Sequence, residues 1–100
     1  MRVELTKLAA TDIRVAAKWW ESNRERAPAL LRLELQRALI ELSTHPFSGV
    51  PVPDDTEPTL RRLTLLRTRY VLFYSVDTAG RVTVLGFWHA SRGHRPQLRR

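Results

Sequence analysis

The sequence predicts an α+β fold in the order β-α-α-β-β-β, a helix hairpin packed on a small antiparallel sheet. Two observations carry this. Apolar residues recur every three or four positions through residues 8–43, then every second position through 60–90. Between the two patterns stand Pro46, Pro51, Pro53 and Pro58 with Gly49, a proline density that no regular element survives. A chain of 100 residues makes one domain, 1–100.

Residues 2–6 alternate charged and apolar, with Val3 and Leu5 on one face, which reads as a short strand. Thr6 can cap the helix that follows, its side-chain oxygen accepting from a backbone N–H of the first turn. Residues 8–24 form that helix: Ala9, Ile13, Ala16, Ala17 and Trp20 share a stripe, with Asp12, Arg14, Lys18 and Glu21 between them. Pro28 suits the first turn of a second helix, where a missing N–H costs nothing. Residues 28–43 carry Leu31, Leu35, Ala38, Leu39 and Leu42 on one side, and Glu34, Arg37 and Glu41 are expected to face out. The short connection predicts an antiparallel hairpin. Trp19, Trp20 and Trp88 read most simply as packing residues.

Residues 44–59 are expected to be a loop. Residues 60–66, 69–76 and 81–90 then read as three strands, rich in β-branched and aromatic side chains. Arg67–Thr68 supplies one turn, and Asp77 to Gly80 the other. On residues 69–76, Tyr70, Leu72, Tyr74 and Val76 share one face, and Val71, Phe73 and Ser75 the other. The tyrosine face is the one left for a partner or for the loop to cover. The first strand must join this sheet, because so short a strand is not stable alone. Residues 91–100 read as a basic loop.

The chain has no cysteine, which excludes disulfides, thiolate zinc sites and thiol nucleophiles. No run approaches the roughly 20 apolar residues needed to cross a bilayer. The opening residues lack the apolar core of a signal peptide, so a cytoplasmic location is expected. Charge is uneven: residues 1–60 carry a net −1, whereas 61–100 hold nine arginines and one acid, Asp77, for a net +8. Codon preference explains arginine over lysine but not the missing acids. The asymmetry points to an acidic partner, either nucleic acid or an acidic protein segment.

RNA cleavage through a 2′-hydroxyl needs a base, a cation for the phosphorane charge, and an acid for the leaving oxygen. His89, His94, Arg62, Arg69, Arg92 and Arg95 have the chemistry for those roles, and Tyr70 or Tyr74 could stack on a base. The bland alternatives are packing for His89 beside Trp88, solvation for His94, and a solvated edge for one of Arg61 and Arg62, which alternate on a strand. No metal site and no cofactor is indicated.

Five local patterns in order resemble the RelE/ParE superfamily of type II toxin–antitoxin toxins. They are Leu5-Thr6-x-x-Ala9-Ala10-x-Asp12-Ile13; His45-Pro46-x-x-Gly49; Leu60-Arg61-Arg62-Leu63; Arg69-Tyr70-Val71-Leu72-Phe73-Tyr74; and Val84-Leu85-Gly86-Phe87-Trp88-His89-Ala90-Ser91-Arg92. His89 and Arg92 after the last strand, with no tyrosine beyond Tyr74, resemble the ParE side. That resemblance implies a toxin that poisons DNA gyrase and is neutralised by a cognate antitoxin. The antitoxin's C-terminal segment would wrap the toxin, laying apolar side chains on its helices and sheet. Two alternatives stay open. One is a RelE-like endoribonuclease that cuts mRNA on the ribosome with Arg62, Arg69, His89 and Arg92. The other is a non-toxic basic domain that binds nucleic acid or protein. The expected contact surface comprises Arg61, Arg62, Arg69, Tyr70, Tyr74, His89, Arg92, His94 and Arg95.

Overall fold

Thr6 opens the helical half as its side chain predicts. In this computed structural model, which describes residues 3–91, the Thr6 hydroxyl accepts the Ala9 N–H at 3.1 Å. Strand β1 (Val3–Leu5) precedes it, and α1 (Lys7–Asn23) and α2 (Leu30–Thr44) follow. Pro28 falls just before α2 rather than inside it, in a turn closed by Leu30 N–H donating to Ala27 O at 3.2 Å. The sheet adds β2 (Val50–Pro51), β3 (Leu60–Thr64), β4 (Tyr70–Val76) and β5 (Val82–His89), in the order β1-β5-β4-β3-β2. Among the described residues no helix is long and apolar enough to cross a membrane.

Two expectations about the sheet need correction. The proline-rich segment does contain a strand, β2, paired antiparallel with β3 through Val50↔Arg62 and Pro51↔Arg61. Pro51 is tolerated because β2 is an edge, where one N–H has no ladder partner to lose. The sheet is also mixed rather than antiparallel, since β1 runs parallel to β5. Strands β2 to β5 alternate in direction, and the two helices between β1 and β2 bring β1 to the far edge of the sheet, where it runs with β5.

The third correction concerns which face the helices cover. The main core joins Ala9, Ala16, Ala17 and Trp20 of α1 and Leu31, Leu35, Ala38 and Leu42 of α2 to Tyr70, Leu72, Tyr74 and Val76. The tyrosine face is therefore the inner one. It is the more apolar side, because Val82, Val84 and Phe87 of β5 extend it, and each fully buried aliphatic side chain contributes about 2 kcal/mol. The opposite face holds a smaller cluster of Leu60, Val71, Phe73, Leu85 and Trp88, partly covered by Val52 of the proline-rich segment. Phe73 and Trp88 stack at 4.1 Å between centroids. All of β4 is thus buried.

Polar groups fasten the connections. Glu34 does not face out: its carboxylate accepts from Arg67 N–H at 2.8 Å, Thr68 N–H at 3.0 Å and the Thr68 hydroxyl at 2.8 Å, holding the β3–β4 turn to α2. The buried Gly49 N–H donates to the Tyr74 hydroxyl at 2.8 Å, which ties the proline-rich segment to the sheet. Burial pushes the Tyr74 phenol above its ordinary range, against the opposing pull of the Gly49 hydrogen bond and the Arg61 charge. A Cβ at Gly49 would lie 2.5 Å from both Arg62 O and the Tyr74 hydroxyl. In the β4–β5 turn, Asp77 accepts from Ala79 N–H and Arg81 N–H, both at 2.9 Å, and from Arg81 Nε at 2.8 Å. Gly80 supplies the positive φ of 80° that the turn requires.

Two stability predictions follow from these ties. Gly49→Ala should cost about 1–3 kcal/mol through overpacking against backbone, and Tyr74→Phe about 1–3 kcal/mol by stranding a buried N–H. Urea titration of both variants tests this, and wild-type midpoints would count against it. Hydrogen bonds, led by that from the Arg81 N–H, hold the exposed Asp77 carboxyl below its ordinary value. Its contribution is therefore present above the unfolded value of about 3.9 and is lost as pH falls through the lower folded value. Asp77→Asn should be less stable than wild type at neutral pH, and thermal scans should show the gap closing in acid.

Candidate functional site

An aromatic groove opens where α1 ends beside the end of β5. It encloses about 570 Å³ and is lined by Asp12, Val15 and Trp19 on one side and by Tyr70, Phe87 and His89 on the other. The register explains its walls. Tyr70 stands opposite His89 across the β4–β5 ladder, so their side chains share the helix face. The His89 ring meets Tyr70 edge-on at 5.1 Å, and Phe87 stacks on Tyr70 at 5.0 Å. Trp20 is buried, donating its indole N–H to Ala27 O at 2.8 Å. Trp19 is its neighbour on a helix, about 100° round the axis, so both cannot enter the core. Trp19 remains 46% exposed, which corrects its reading as a packing residue.

The groove's electrostatics come from a few groups. The Arg24 guanidinium lies over both indoles, 5.1 Å from Trp19 and 5.5 Å from Trp20. Desolvation raises the Tyr70 pKa, with Arg24 opposing it, so Tyr70 enters the site as a neutral phenol at neutral pH. Asp12 Oδ2 accepts the Phe87 N–H at 3.3 Å. His89 Nδ1 accepts the Ser91 N–H at 3.2 Å and lies 2.7 Å from the Ser91 hydroxyl. Accepting at Nδ1 leaves the neutral ring's proton on Nε2.

The expected site residues do not assemble in one place. Tyr70 and His89 meet in the groove. Tyr74 is fully buried and serves the Gly49 tie, so it offers nothing to a partner. Arg61 is committed locally, donating to Phe47 O at 3.2 Å and Gly49 O at 2.7 Å and stacking on the Phe47 ring at 4.9 Å. Arg62 pairs with Phe73, which puts it on the face opposite to His89. Arg62 and His89 are also separated by two strand spacings, about 10 Å, and by three residues along β4, about another 10 Å. The two side chains do not converge on one phosphate. Arg69 is exposed in the β3–β4 turn with φ 69°. Arg92, His94 and Arg95 lie outside the described residues. The sequence reading missed Asp12, Val15, Trp19 and Arg24; the signal that could have found them was the tandem Trp19–Trp20.

A second, apolar groove of about 420 Å³ runs between the helices and β1, lined by Ile13, Leu35, Leu39 and Ile40 among others.

The fold has a counterpart of known structure. A chain of a solved structure described as "Chromosomal ParDE TA system from P. aeruginosa" superposes with a TM-score of 0.69 at 20% identity, over 89% of this chain and 95% of that one. At that identity the likeness establishes a shared α+β fold. The family model described as "ParE toxin of type II toxin-antitoxin system, parDE" matches residues 3–93. This chain belongs to the ParE toxin family of type II toxin–antitoxin systems. No curated protein matches it.

Arg69 gives the site a test of its own. A non-glycine residue in the left-handed region costs about 1–2 kcal/mol, so Arg69→Gly should raise the melting temperature by about 4–8 °C per kcal/mol recovered. Thermal unfolding by circular dichroism measures it, and an unchanged or lower melting temperature would show that the Arg69 side chain contributes more than its backbone loses.

Proposed function

We propose that this chain arrests bacterial growth by binding DNA gyrase in the cytoplasm, and that a cognate antitoxin holds it inactive. The observation that carries this reading is the family match over residues 3–93. The separation of Arg62 from His89 across the sheet supports it against the nuclease alternative. General acid–base cleavage needs its groups within hydrogen-bond reach of one phosphodiester. A gyrase ligand needs only a surface, and the groove of Trp19, Tyr70 and His89 supplies aromatic anchors of the kind that dominate interfaces. The basic C-terminal half favours an acidic antitoxin segment, through steering and charge pairing.

The test is to induce the chain in a bacterium that lacks the antitoxin and to pulse-label DNA and protein synthesis in parallel. DNA synthesis should fall first, with translation intact, and the purified chain should inhibit gyrase supercoiling. Translation falling first would replace this reading with mRNA cleavage. Unimpaired growth with abundant folded protein would leave a basic binding domain without toxicity.

A further inference from the structure

The turn between β3 and β4 divides its side chains cleanly. Leu65, Thr68 and Tyr70 are buried, whereas Leu66, Arg67 and Arg69 are exposed. Leu66 is 77% exposed, more than any other large apolar side chain among the described residues. A single surface leucine is ordinary, but this one stands on a turn fastened from three sides. Leu65 N–H donates to Tyr70 O and Arg69 N–H to Leu65 O, both at 2.8 Å. Glu34 holds Arg67 and Thr68 from α2, and Arg69 O accepts the Ala90 N–H from β5. These bonds keep Arg69 at φ 69°, a conformation that glycine adopts without strain. Nothing within the turn repays an arginine there. Among the described residues, neither the Arg67 nor the Arg69 guanidinium has a hydrogen-bond or ion-pair partner. Strain of this kind collects where a ligand is gripped.

Charge at this end of the molecule is mostly of one sign. Arg24 and Arg26 leave α1 here, because Trp20 meets Tyr70 edge-on at 6.5 Å and donates to Ala27 O. The chain continues from Ser91, beside Arg69, with four arginines and no acid. Of the nearby acids, Glu34 is occupied by its three donors and Glu21 pairs with Arg32. Glu25 is left against Arg24, Arg26, Arg67 and Arg69.

We infer that this tip binds double-stranded DNA, with Leu66 pressed between base steps of the minor groove and Arg67 and Arg69 on the flanking phosphates. The inference goes beyond gyrase binding and needs no gyrase. The planar fork of arginine matches phosphate oxygens, and an apolar wedge beside cations is how minor-groove proteins unstack and kink a duplex. An acidic protein fits the tip less well. Leucine is under-represented among the anchors of protein interfaces, and the tip exposes none of the aromatic side chains that dominate them. A turn already held in place also loses little conformational freedom on binding.

The test is to titrate the full chain, without gyrase, into an end-labelled DNA duplex that carries 2-aminopurine in place of adenine. Anisotropy and 2-aminopurine emission should both rise to saturation, the second because unstacking brightens the base. Leu66→Ser should remove the rise in emission and still fold, since Leu66 stands largely in solvent. Arg67→Ala and Arg69→Gly should weaken binding and each lower the dependence of log affinity on log salt by about 1. Arg81→Ala takes the same charge from the β4–β5 turn, at the opposite end of the sheet, and should leave binding as it was. The inference is overturned by the absence of saturable binding, or by Arg81→Ala proving as damaging as Arg69→Gly, which would reduce the effect to net charge. It is overturned equally by a polyglutamate chain binding as tightly as the duplex, which would make the partner an acidic protein. So would flat emission at saturation overturn it, or equal binding of an RNA duplex, whose wide, shallow minor groove gives a wedge no grip.

Discussion

The hydrogen bond from Gly49 N–H to the Tyr74 hydroxyl ties the proline-rich segment to the sheet, and the cover of the sheet's outer face depends on it. A domain with one layer of helices can bury only one face of its sheet, yet β4 is buried throughout. The outer face depends on the proline-rich segment, whose Val52 packs on the cluster around Phe73 and Trp88. That segment contributes only two strand residues to the sheet. Its position is set by the Tyr74 tie, by Arg61 gripping the Phe47 and Gly49 carbonyls, and by Val52 N–H donating to Leu60 O at 2.9 Å. An unpaired donor there would sit in a buried, low-dielectric site, where a missing partner is costly.

Most of the architecture was legible because period and punctuation agree. Thr6, the apolar stripes of both helices and Gly80 each did locally what the fold required globally. The errors share one cause: long-range pairing is invisible to local pattern. Val50 and Pro51 look like loop because proline argues against a strand, and only the Arg61–Arg62 partners make them an edge. The two faces of β4 look equally apolar from its own residues. Val82, Val84 and Phe87 on the neighbouring strand decide which one the helices cover. Glu34 looks solvent-facing by helix phase, and only the turn brought beside it from residues 65–70 gives its carboxylate three donors.

The candidate site was legible in part, for a related reason. Tyr70 and His89 could be named from their own chemistry. Their meeting depends on the β4–β5 register, and their opposite wall depends on how α1 crosses the sheet. The arginine excess, by contrast, overstated a single basic surface. Arg61 and Arg81 are occupied by local carbonyls and by Asp77, while Arg62 and Arg69 stand at different places on the sheet. A net charge is a property of the whole field, and it attracts an acidic partner without saying where that partner lands.

The strained residue and the groove belong to one end of the molecule. Arg69 takes the left-handed conformation at the close of the β3–β4 turn, with its N–H donating to Leu65 O at 2.8 Å. Its carbonyl is thereby aimed across the sheet to accept the Ala90 N–H. That bond carries pairing one residue past His89 and so fixes where the strand ends. The Ser91 N–H then folds back onto His89 Nδ1, setting the ring against Tyr70. Glu34 holds the same turn from the helix side through Arg67 and Thr68. Strain at a turn persists only where surrounding bonds over-determine it, and here those bonds also place the histidine at the mouth of the groove.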